Sequence, residues 1–325
     1  MVRIGLIGVG RHGERYARHL VRDSLGAELV ALARRNPELA KRQAEEFGCR
    51  GFSDPGELIA SPEVEAVVVV VPPTAHWDIL QAAATAGKPV LLEKPAAPNM
   101  EIGERMREIV KRTGAFVMVA QTLRFNGVVQ ALREAIPRIG PIHSLRIGQR
   151  FEPSRPGWID DPAVAGGGMI LHTGVHCFDL VRYLTGQEVR SVTCMHSRIR
   201  AERTEDNFAC TLRLEDERSL ATVAGSRATA SRSGGVEIAG AGGQLIGDHV
   251  LNHAVLVRGT SKTALPVPDP VPTVRETLRS FIRAVREQLP PPIPLEEGLR
   301  AVAIVDACYR AAQLGREEPV KWVAV

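Results

Sequence analysis

The first 120 residues alternate short runs of apolar, often β-branched residues with longer segments of helical period. The central run, Ala66–Val71, is apolar at every position, which is typical of a parallel strand covered by helices on both faces. This alternation predicts an α/β fold built on a doubly wound parallel sheet. The predicted strands are Arg3–Ile7, Glu28–Ala33, Ala66–Val71, Pro89–Leu92 and Ala115–Ala120, and the predicted helices are Gly13–Arg22, Pro37–Phe47, Thr74–Ala86 and Asn99–Arg112.

Beyond about Gln121 the apolar pattern changes to longer alternating segments, which predict a large, mainly antiparallel sheet with one open face. We therefore expect two domains, 1–121 with the parallel sheet and 122–325 with an α+β fold, whose terminal helix can pack back on the first. The strands predicted here are Ser144–Phe151, Val189–Arg200, Asn207–Leu214, Ser219–Ser226 and Gly235–Ile246. The helices predicted here are Gly174–Leu184, Leu295–Leu314 and, after the proline-rich loop Pro266–Pro272, Val274–Gln288.

The charge and the cysteines of the chain limit which partners and which cellular compartment are expected. The formal net charge is only +4, and no basic block interleaved with aromatic residues occurs, so nucleic acid is not an expected partner. The longest apolar run is far too short to cross a bilayer, and the N-terminus lacks a signal peptide pattern. Five scattered cysteines without a C-x-x-C pair favour reduced thiols. We expect a soluble, cytoplasmic protein.

A glycine-rich turn follows the first predicted strand and opens the first predicted helix: Gly8-Val9-Gly10-Arg11-His12-Gly13. Glycines at these spacings allow a tight turn, close approach of the backbone to a pyrophosphate, and close packing of helix on strand. The helix N-terminus then offers unpaired N–H groups to the phosphates. The motif in this context predicts a Rossmann dinucleotide-binding domain, with Gly8, Gly10, Arg11, His12 and Gly13 at the cofactor.

The end of the second predicted strand indicates which dinucleotide is bound. NAD-binding domains usually carry Asp or Glu there for the ribose 2′-hydroxyl, but this strand runs into Arg34 and Arg35. Two guanidinium groups can hold a 2′-phosphate, which predicts NADP(H) as the preferred cofactor with NAD(H) possible. The alternative is that both arginines are solvated surface charge.

After the central strand, Val71-Pro72-Pro73-Thr74 directs the chain across the carboxyl edge of the sheet, where ligands of such folds bind. We predict that Pro72, Thr74 and His76 line the cofactor site, although His76 is equally compatible with an ordinary helix N-terminal residue.

The apolar strand that ends in Glu93-Lys94-Pro95 places a lysine at the same carboxyl edge. An ammonium there can donate to a substrate oxygen, and a positively charged nicotinamide nearby would lower its pKa. We predict that Glu93 and Lys94 contact the cofactor and that Lys94 is catalytic; the alternative is a surface lysine after a strand.

Three glycines, Gly166–Gly168, precede a helical segment with His172 and His176 four residues apart. The glycines would let backbone approach a ligand, and the two imidazoles would share one helical face. Histidine suits the proton transfer that alcohol oxidation or carbonyl reduction needs. Asp179 could orient His176 or pair locally. A metal site is not expected, because no Glu lies between the histidines and no third ligand is evident.

These motifs together resemble the glucose–fructose oxidoreductase / inositol dehydrogenase / rhizopine-catabolism (Gfo/Idh/MocA) family over nearly the whole chain. The resemblance implies hydride transfer to or from a sugar, inositol, related polyol or sugar acid. It implies that Lys94 holds the reacting oxygen and His176 exchanges its proton, within a homo-oligomer (dimer or tetramer) formed through the open sheet face. The substrate residues it implies are Lys94, Arg124, Trp158, His172 and His176.

One departure from the family pattern is His172, which stands where Asp is usual. An imidazole changes the charge and hydrogen bonding, so a less typical substrate is expected, with an anionic one among the candidates. Arg124, Arg150 and Arg155 would then either bind it or serve the structure. Two other functions are compatible with the sequence: a non-catalytic NADP-binding sensor, and a glycosidase that retains its cofactor through a redox-assisted cleavage.

Overall fold

The computed structural model describes residues 1–153 and 157–321, which pack as two compact units. The first unit contains Met1–Thr122 and Pro272–Leu299, and the second contains Leu123–Val271 and the described residues from Arg300 onward. The sequence predicted domains of 1–121 and 122–325, with the terminal helix able to pack back on the first. In the structure the chain returns to the first unit for Pro272–Leu299.

Strands and helices are numbered in chain order. The strands of the described ranges are β1 (Val2–Ile7), β2 (Ala27–Ala33), β3 (Arg50–Phe52), β4 (Ala66–Val69), β5 (Val90–Leu92), β6 (Val117–Val119), β7 (Ile142–Arg150), β8 (Val189–Ser197), β9 (Asn207–Leu214), β10 (Leu220–Ser226), β11 (Ser233–Gly240), β12 (Gly243–Asp248), β13 (His253–Arg258), β14 (Ser261–Ala264) and β15 (Glu318–Pro319).

The α-helices of the same ranges are α1 (Gly13–Arg22), α2 (Pro37–Phe47), α3 (Pro55–Ala60), α4 (His76–Thr85), α5 (Met100–Thr113), α6 (Gly127–Ala135), α7 (Pro162–Ala165), α8 (Val175–Thr185), α9 (Thr273–Arg286) and α10 (Leu295–Leu314). A π-helical turn, Ile170–Gly174, leads into α8. None of these described helices combines the length and the apolar character needed to cross a bilayer.

The first unit is built on a parallel sheet with the strand order β3-β2-β1-β4-β5-β6. All four residues of β4 are buried, as the apolar run predicts for a strand covered on both faces. The prediction of a doubly wound parallel sheet is confirmed. Strand β3 and helix α3 were not predicted, because segments of three and six residues carry too little periodicity to be recognised.

Helix α9 belongs to the first unit because its apolar face is buried there. Val274, Leu278, Phe281 and Ile282 are all buried; the helix packs against α1 and β1, and the ring of Phe281 meets that of Phe116 edge-on at 5.9 Å. Amphipathic periodicity predicts that a helix buries one face, but it does not say against which surface. The segment that follows α9 also covers the outer side of β6, since the Val119 N–H donates to the Ile293 carbonyl at 2.8 Å.

The second unit is built on a sheet with the order β14-β13-β12-β11-β7-β10-β9-β8-β15. Among the described strands of this sheet only β7 and β10 pair in parallel, so the prediction of a mainly antiparallel sheet is confirmed. Along β9, Phe208, Cys210 and Leu212 are buried and the intervening residues are exposed, so one face of this strand packs and the other does not.

One strand of the second unit was predicted wrongly. The segment Gly235–Ile246 was expected as one strand, whereas β11 and β12 form a hairpin that turns between Gly240 and Gly243. Gly243 has a φ of +147°, a conformation that only glycine adopts without strain. The cluster Gly240-Ala241-Gly242-Gly243 is a turn signal that the prediction overlooked.

Candidate active site

The glycine-rich turn between β1 and α1 is shaped by two glycines that touch the protein and one that does not. Gly8 has a φ of +94°, and a Cβ added to it would lie 2.2 Å from the Val70 carbonyl oxygen. A Cβ on Gly13 would lie 1.9 Å from the Gly8 oxygen, whereas a Cβ on Gly10 would meet no atom within 4 Å. Gly8 and Gly13 therefore permit the turn, and Gly10 leaves space beside the helix N-terminus. That space and the orphan N–H groups of the first helical turn fit a pyrophosphate.

The two arginines after β2 differ in their surroundings. The Arg34 Nη1 donates to the Val9 carbonyl and to Gln43 Oε1, each at 2.9 Å, so its guanidinium is tied to the glycine-rich turn. The buried Gln43 side chain in turn donates to the same carbonyl and to Glu14. Arg35 is exposed. A held guanidinium beside the turn, with a second, exposed one next to it in the sequence, suits the binding of an anion.

The loop after β4 is joined to the loop after β5 by His76. This imidazole is fully buried, with Nδ1 3.1 Å from the Ala96 carbonyl and Nε2 3.1 Å from the Val71 carbonyl. Burial lowers the pKa of His76, although its carbonyl partners act in the opposite direction. His76 therefore positions the two loops rather than presenting a ring atom to a ligand. Pro72 is partly buried and Thr74 exposed in the same loop.

Glu93 anchors the segment that carries Lys94. Its Oε1 lies 2.8 Å from His12 Nε2 and accepts a bond from the Tyr16 hydroxyl at 2.5 Å, while its Oε2 accepts from the Lys94 N–H at 3.0 Å. Burial by itself raises the pKa of Glu93, but the charge and hydrogen bond of His12, the Lys94 ammonium and the Tyr16 hydroxyl lower it to about 2. Glu93 is thus an ionised, satisfied buried group that ties the glycine-rich turn to the reaction-centre strand.

Lys94 lies two residues past the end of β5 and is partly buried. Burial lowers its pKa below the usual 10.5, and the Glu93 charge only partly opposes this. The Lys94–Pro95 peptide bond is cis. A desolvated ammonium at the carboxyl edge of the sheet is suited to donate a hydrogen bond to a reacting oxygen.

The perturbed Glu93 carboxyl predicts a specific acid sensitivity. Its folded-state pKa of about 2 lies below the 4.5 of an exposed carboxyl, so its ionised form contributes about 3 kcal/mol of stability above pH 4.5. This contribution falls away as the pH drops from about 4.5 towards 2, and roughly 2 kcal/mol of it is lost by pH 3. Urea unfolding at pH 6.5 and pH 3 should therefore show a smaller pH effect in Glu93→Gln than in the wild type. Glu101→Gln, on the exposed side of α5, should behave as the wild type; equal losses in all three proteins would contradict the assignment.

In the second unit, His172 and His176 lie in two successive helical segments. His172 lies in the π-helical turn, is 8% exposed, and has its Nε2 3.0 Å from the Ala165 carbonyl. His176 lies in the first turn of α8 and is partly exposed. That the two imidazoles share one helical face stays a prediction. Across the described ranges, no three His, Cys, Asp or Glu side chains are arranged to hold a metal ion.

The triple glycine packs against the protein itself. A Cβ on Gly167 would lie 2.5 Å from the Tyr309 hydroxyl, and one on Gly168 would lie 2.3 Å from the Glu205 carbonyl oxygen. The Tyr309 hydroxyl accepts from the Gly168 N–H and donates to Glu205 Oε1, which also accepts from Ile170. These glycines were expected to let the backbone approach a ligand. At Gly167 and Gly168 the structure instead shows close internal packing, which anchors the π-helical turn.

Asp179 pairs with Arg124. The guanidinium donates from Nε to Oδ2 at 2.9 Å and from Nη2 to Oδ1 at 2.6 Å, and it also lies over the Tyr183 ring at 5.0 Å. Arg150 donates to two backbone carbonyls of the sheet. Both arginines are thus engaged by groups of the protein, while Arg155 lies outside the described residues.

Trp158 is an exposed aromatic residue of the second unit. It is 40% exposed, and its ring meets that of His172 edge-on at 5.8 Å. The tryptophan and the histidine expected at the substrate are thus adjacent in the structure.

Several residues that shape these sites were not singled out from the sequence. Tyr16 follows His12 by four residues, and its ring meets that imidazole edge-on, so helical spacing could have revealed it. Gln43 could not be recognised, because its partners come from a different strand and helix. Glu205 and Tyr309 are 104 residues apart, and no local pattern connects them.

Comparison with known proteins places these features in a family. Residues 2–121 match the model of the GFO/IDH/MocA oxidoreductase family with an NAD-binding Rossmann fold, and residues 129–246 match the GFO/IDH/MocA C-terminal domain. The chain is 29% identical to myo-inositol 2-dehydrogenase of Thermotoga maritima, over 96% of both chains. It is 28% identical to 1,5-anhydro-D-fructose reductase of Ensifer adhaerens, over 99% of both.

A solved structure of levoglucosan dehydrogenase with NADH and levoglucosan has the same fold, with a TM-score of 0.89, 23% identity and coverage of 99% of this chain and 100% of that one. The first family model matches residues of the first unit, and the second matches residues of the second unit. The glycine-rich turn and Lys94 lie within the first matched range. The chain belongs to the Gfo/Idh/MocA family of oxidoreductases.

Proposed function

We propose that this protein is an NAD(P)-dependent oxidoreductase that transfers a hydride between nicotinamide and a hydroxyl or carbonyl group of a sugar, inositol, related polyol or sugar acid. The observation that carries the proposal is the Glu93–Lys94 segment. An ionised, fully bonded carboxylate holds a desolvated ammonium at the carboxyl edge of a dinucleotide-binding sheet. The names of the full-length relatives support the substrate class.

In the proposed reaction Lys94 donates a hydrogen bond to the reacting oxygen and stabilises the negative charge that develops on it. His176 accepts the hydroxyl proton during oxidation and returns it during reduction. The bound nicotinamide supplies the hydride acceptor or donor. Trp158 and His172 contact the substrate in this proposal, and Arg124 acts indirectly because Asp179 engages its guanidinium.

A substrate screen tests the function directly. The purified protein is incubated with myo-inositol, 1,5-anhydro-D-fructose, levoglucosan and sugar acids, each with NADP(H) and NAD(H), and nicotinamide absorbance is followed. Turnover with a polyol or sugar supports the proposal. Nucleotide binding without any turnover would favour a sensor, and cleavage of glycosides without net consumption of nucleotide would favour a cofactor-retaining glycosidase.

We also propose that NADP(H) is preferred. In NAD-binding domains the second strand usually ends in a carboxylate, but in this chain it runs into Arg34 and Arg35. Arg34 is held beside the glycine-rich turn. Arg35→Ala is expected to raise the Kd for NADPH at least about tenfold, because a charge-assisted hydrogen bond to a phosphate contributes about 1.5–3 kcal/mol. The Kd for NADH should change much less, since NADH carries no 2′-phosphate.

Fluorescence titration of both nucleotides measures this effect. Arg42→Ala is the matched control, because Arg42 is exposed on α2 and has no place in the proposed clamp. Equal affinities of the wild type for the two nucleotides, or tighter binding of NADH, would contradict the clamp.

A further inference from the structure

Gln121 has a buried carboxamide without a hydrogen-bond partner. Its side chain is 1% exposed, and within the part of the chain that the structure describes neither Nε2 nor Oε1 has a partner. Buried polar atoms are almost always paired, since leaving a donor and an acceptor unsatisfied destabilises the folded state. A side chain with both an unsatisfied donor and an unsatisfied acceptor is expected where a ligand supplies the missing hydrogen bonds.

The backbone places Gln121 at the same level as Lys94. Strands β5 and β6 pair in parallel with Leu92 opposite Val119, and the Ala120 N–H continues the ladder to the Leu92 carbonyl at 2.8 Å. Gln121 and Lys94 are therefore each two residues past the last paired positions of neighbouring strands. Both stand at the carboxyl edge of the sheet, where ligands of doubly wound folds bind.

The backbone around Gln121 is fixed. Its N–H donates to the Val119 carbonyl, and the Thr122 N–H donates to the Ala120 carbonyl, each at 2.9 Å. The outer side of β6 is covered by Ile293. Rigid backbone on both sides of the residue suits a group that positions a ligand.

We propose that Gln121 binds the carboxamide of the nicotinamide ring, an inference that rests on the proposed function. A carboxamide presents an acceptor oxygen and a donor nitrogen side by side, so it can pair with both orphan atoms of Gln121 through two parallel hydrogen bonds, whereas a hydroxyl group offers one oxygen atom for both. Strands β4 to β6 also form the half of such a sheet that receives the second nucleotide of the cofactor. Gln121 is thus a positioning residue that sets the orientation of the ring relative to Lys94.

The proposal predicts opposite effects on stability and on binding. Gln121→Met, an apolar replacement of similar length, should raise the unfolding midpoint of the cofactor-free protein, because the unsatisfied polar atoms are removed. The same variant should bind NADPH about tenfold more weakly, because it loses the paired amide bonds. Gln121→Leu tests the same two effects with a second apolar side chain. Gln81→Met, exposed on α4, is the control and should change neither the unfolding midpoint nor the affinity for NADPH.

A cofactor analogue identifies the ligand atom. In the 3-acetylpyridine analogue of NADP(H) a methyl group replaces the amide NH₂. The wild type should bind this analogue several-fold more weakly than NADPH, because one hydrogen bond is lost. Gln121→Met should bind the analogue and NADPH equally. Wild-type discrimination that persists in the variant would overturn the proposal, as would a lower unfolding midpoint of the cofactor-free variants.

The same titrations separate this proposal from the proposed function. If the wild type binds no nicotinamide nucleotide, the proposed function fails and the assignment of Gln121 falls with it. If the wild type binds NADPH normally and Gln121→Met changes only the KM for substrate, the oxidoreductase stands and the carboxamide contact is refuted.

Discussion

Replacing His176 with glutamine is expected to lower kcat by about 10²- to 10⁴-fold with the substrate found in the screen, the range typical of a lost general acid–base. Glutamine has a similar length and keeps polar atoms, but it cannot take up and release a proton near neutral pH. The imidazole lies in the first turn of α8, directly after the π-helical turn, and is partly exposed. The limb of the pH profile that this imidazole controls should disappear in the variant.

Binding and stability distinguish a chemical role of His176 from a structural one. Because His176 is proposed to act on the substrate proton, the Kd for NADPH should stay within about twofold of the wild-type value. His143→Gln, on an exposed position of β7, provides the matched control and should retain wild-type kcat. A His176→Gln protein that turns over at the wild-type rate would remove His176 from the mechanism.

Replacing Lys94 with methionine is expected to lower kcat/KM by about 10²- to 10³-fold, because one charged donor to the developing oxyanion is lost. Methionine keeps an unbranched apolar stem of similar length, so packing changes little. The Glu93 carboxylate loses a nearby positive charge but keeps His12 and Tyr16, so the protein should remain folded. Lys111→Met, exposed on α5, is the control and should leave kcat/KM unchanged.

The pH dependence tests the same ammonium in a second way. Burial lowers the pKa of Lys94 below 10.5, so the protonated donor should be lost at a lower pH than for an exposed lysine. The high-pH limb of kcat/KM should accordingly lie below 10.5 in the wild type. It should vanish in Lys94→Arg, whose guanidinium remains charged throughout the accessible range. A limb that persists unchanged in Lys94→Arg would assign it to another group.

The features that the sequence predicted well are those that arise from neighbouring residues. Gly8 and Gly13 are required by a turn and by helix packing within a six-residue segment, and the structure places both in close contact with the backbone. The apolar run around β4 predicted a strand buried on both faces because its own residues decide its solvation. The alternating pattern of β9 predicted a half-buried strand for the same reason.

The errors occurred where a residue's surroundings come from distant parts of the chain. Asp179 was expected either to orient His176 or to pair locally, and spacing gave no sign of its bidentate pair with Arg124, 55 residues away. The glycines before the π-helical turn were expected to face a ligand, but they pack against Tyr309 and Glu205. Nothing in the local spacing of these residues distinguishes a ligand contact from an internal one.

By itself, the sequence determined the two sheet types, the glycine-rich turn and the strand that carries Lys94, because hydrophobic periodicity and backbone freedom act over a few residues. Only the tertiary structure decided that α9 packs with the first unit, that His12 and Tyr16 share the Glu93 carboxylate, and that Gln121 is buried without a partner. These features depend on which surfaces meet after folding. Burial and hydrogen bonding between segments far apart in the chain leave no periodic trace in the sequence.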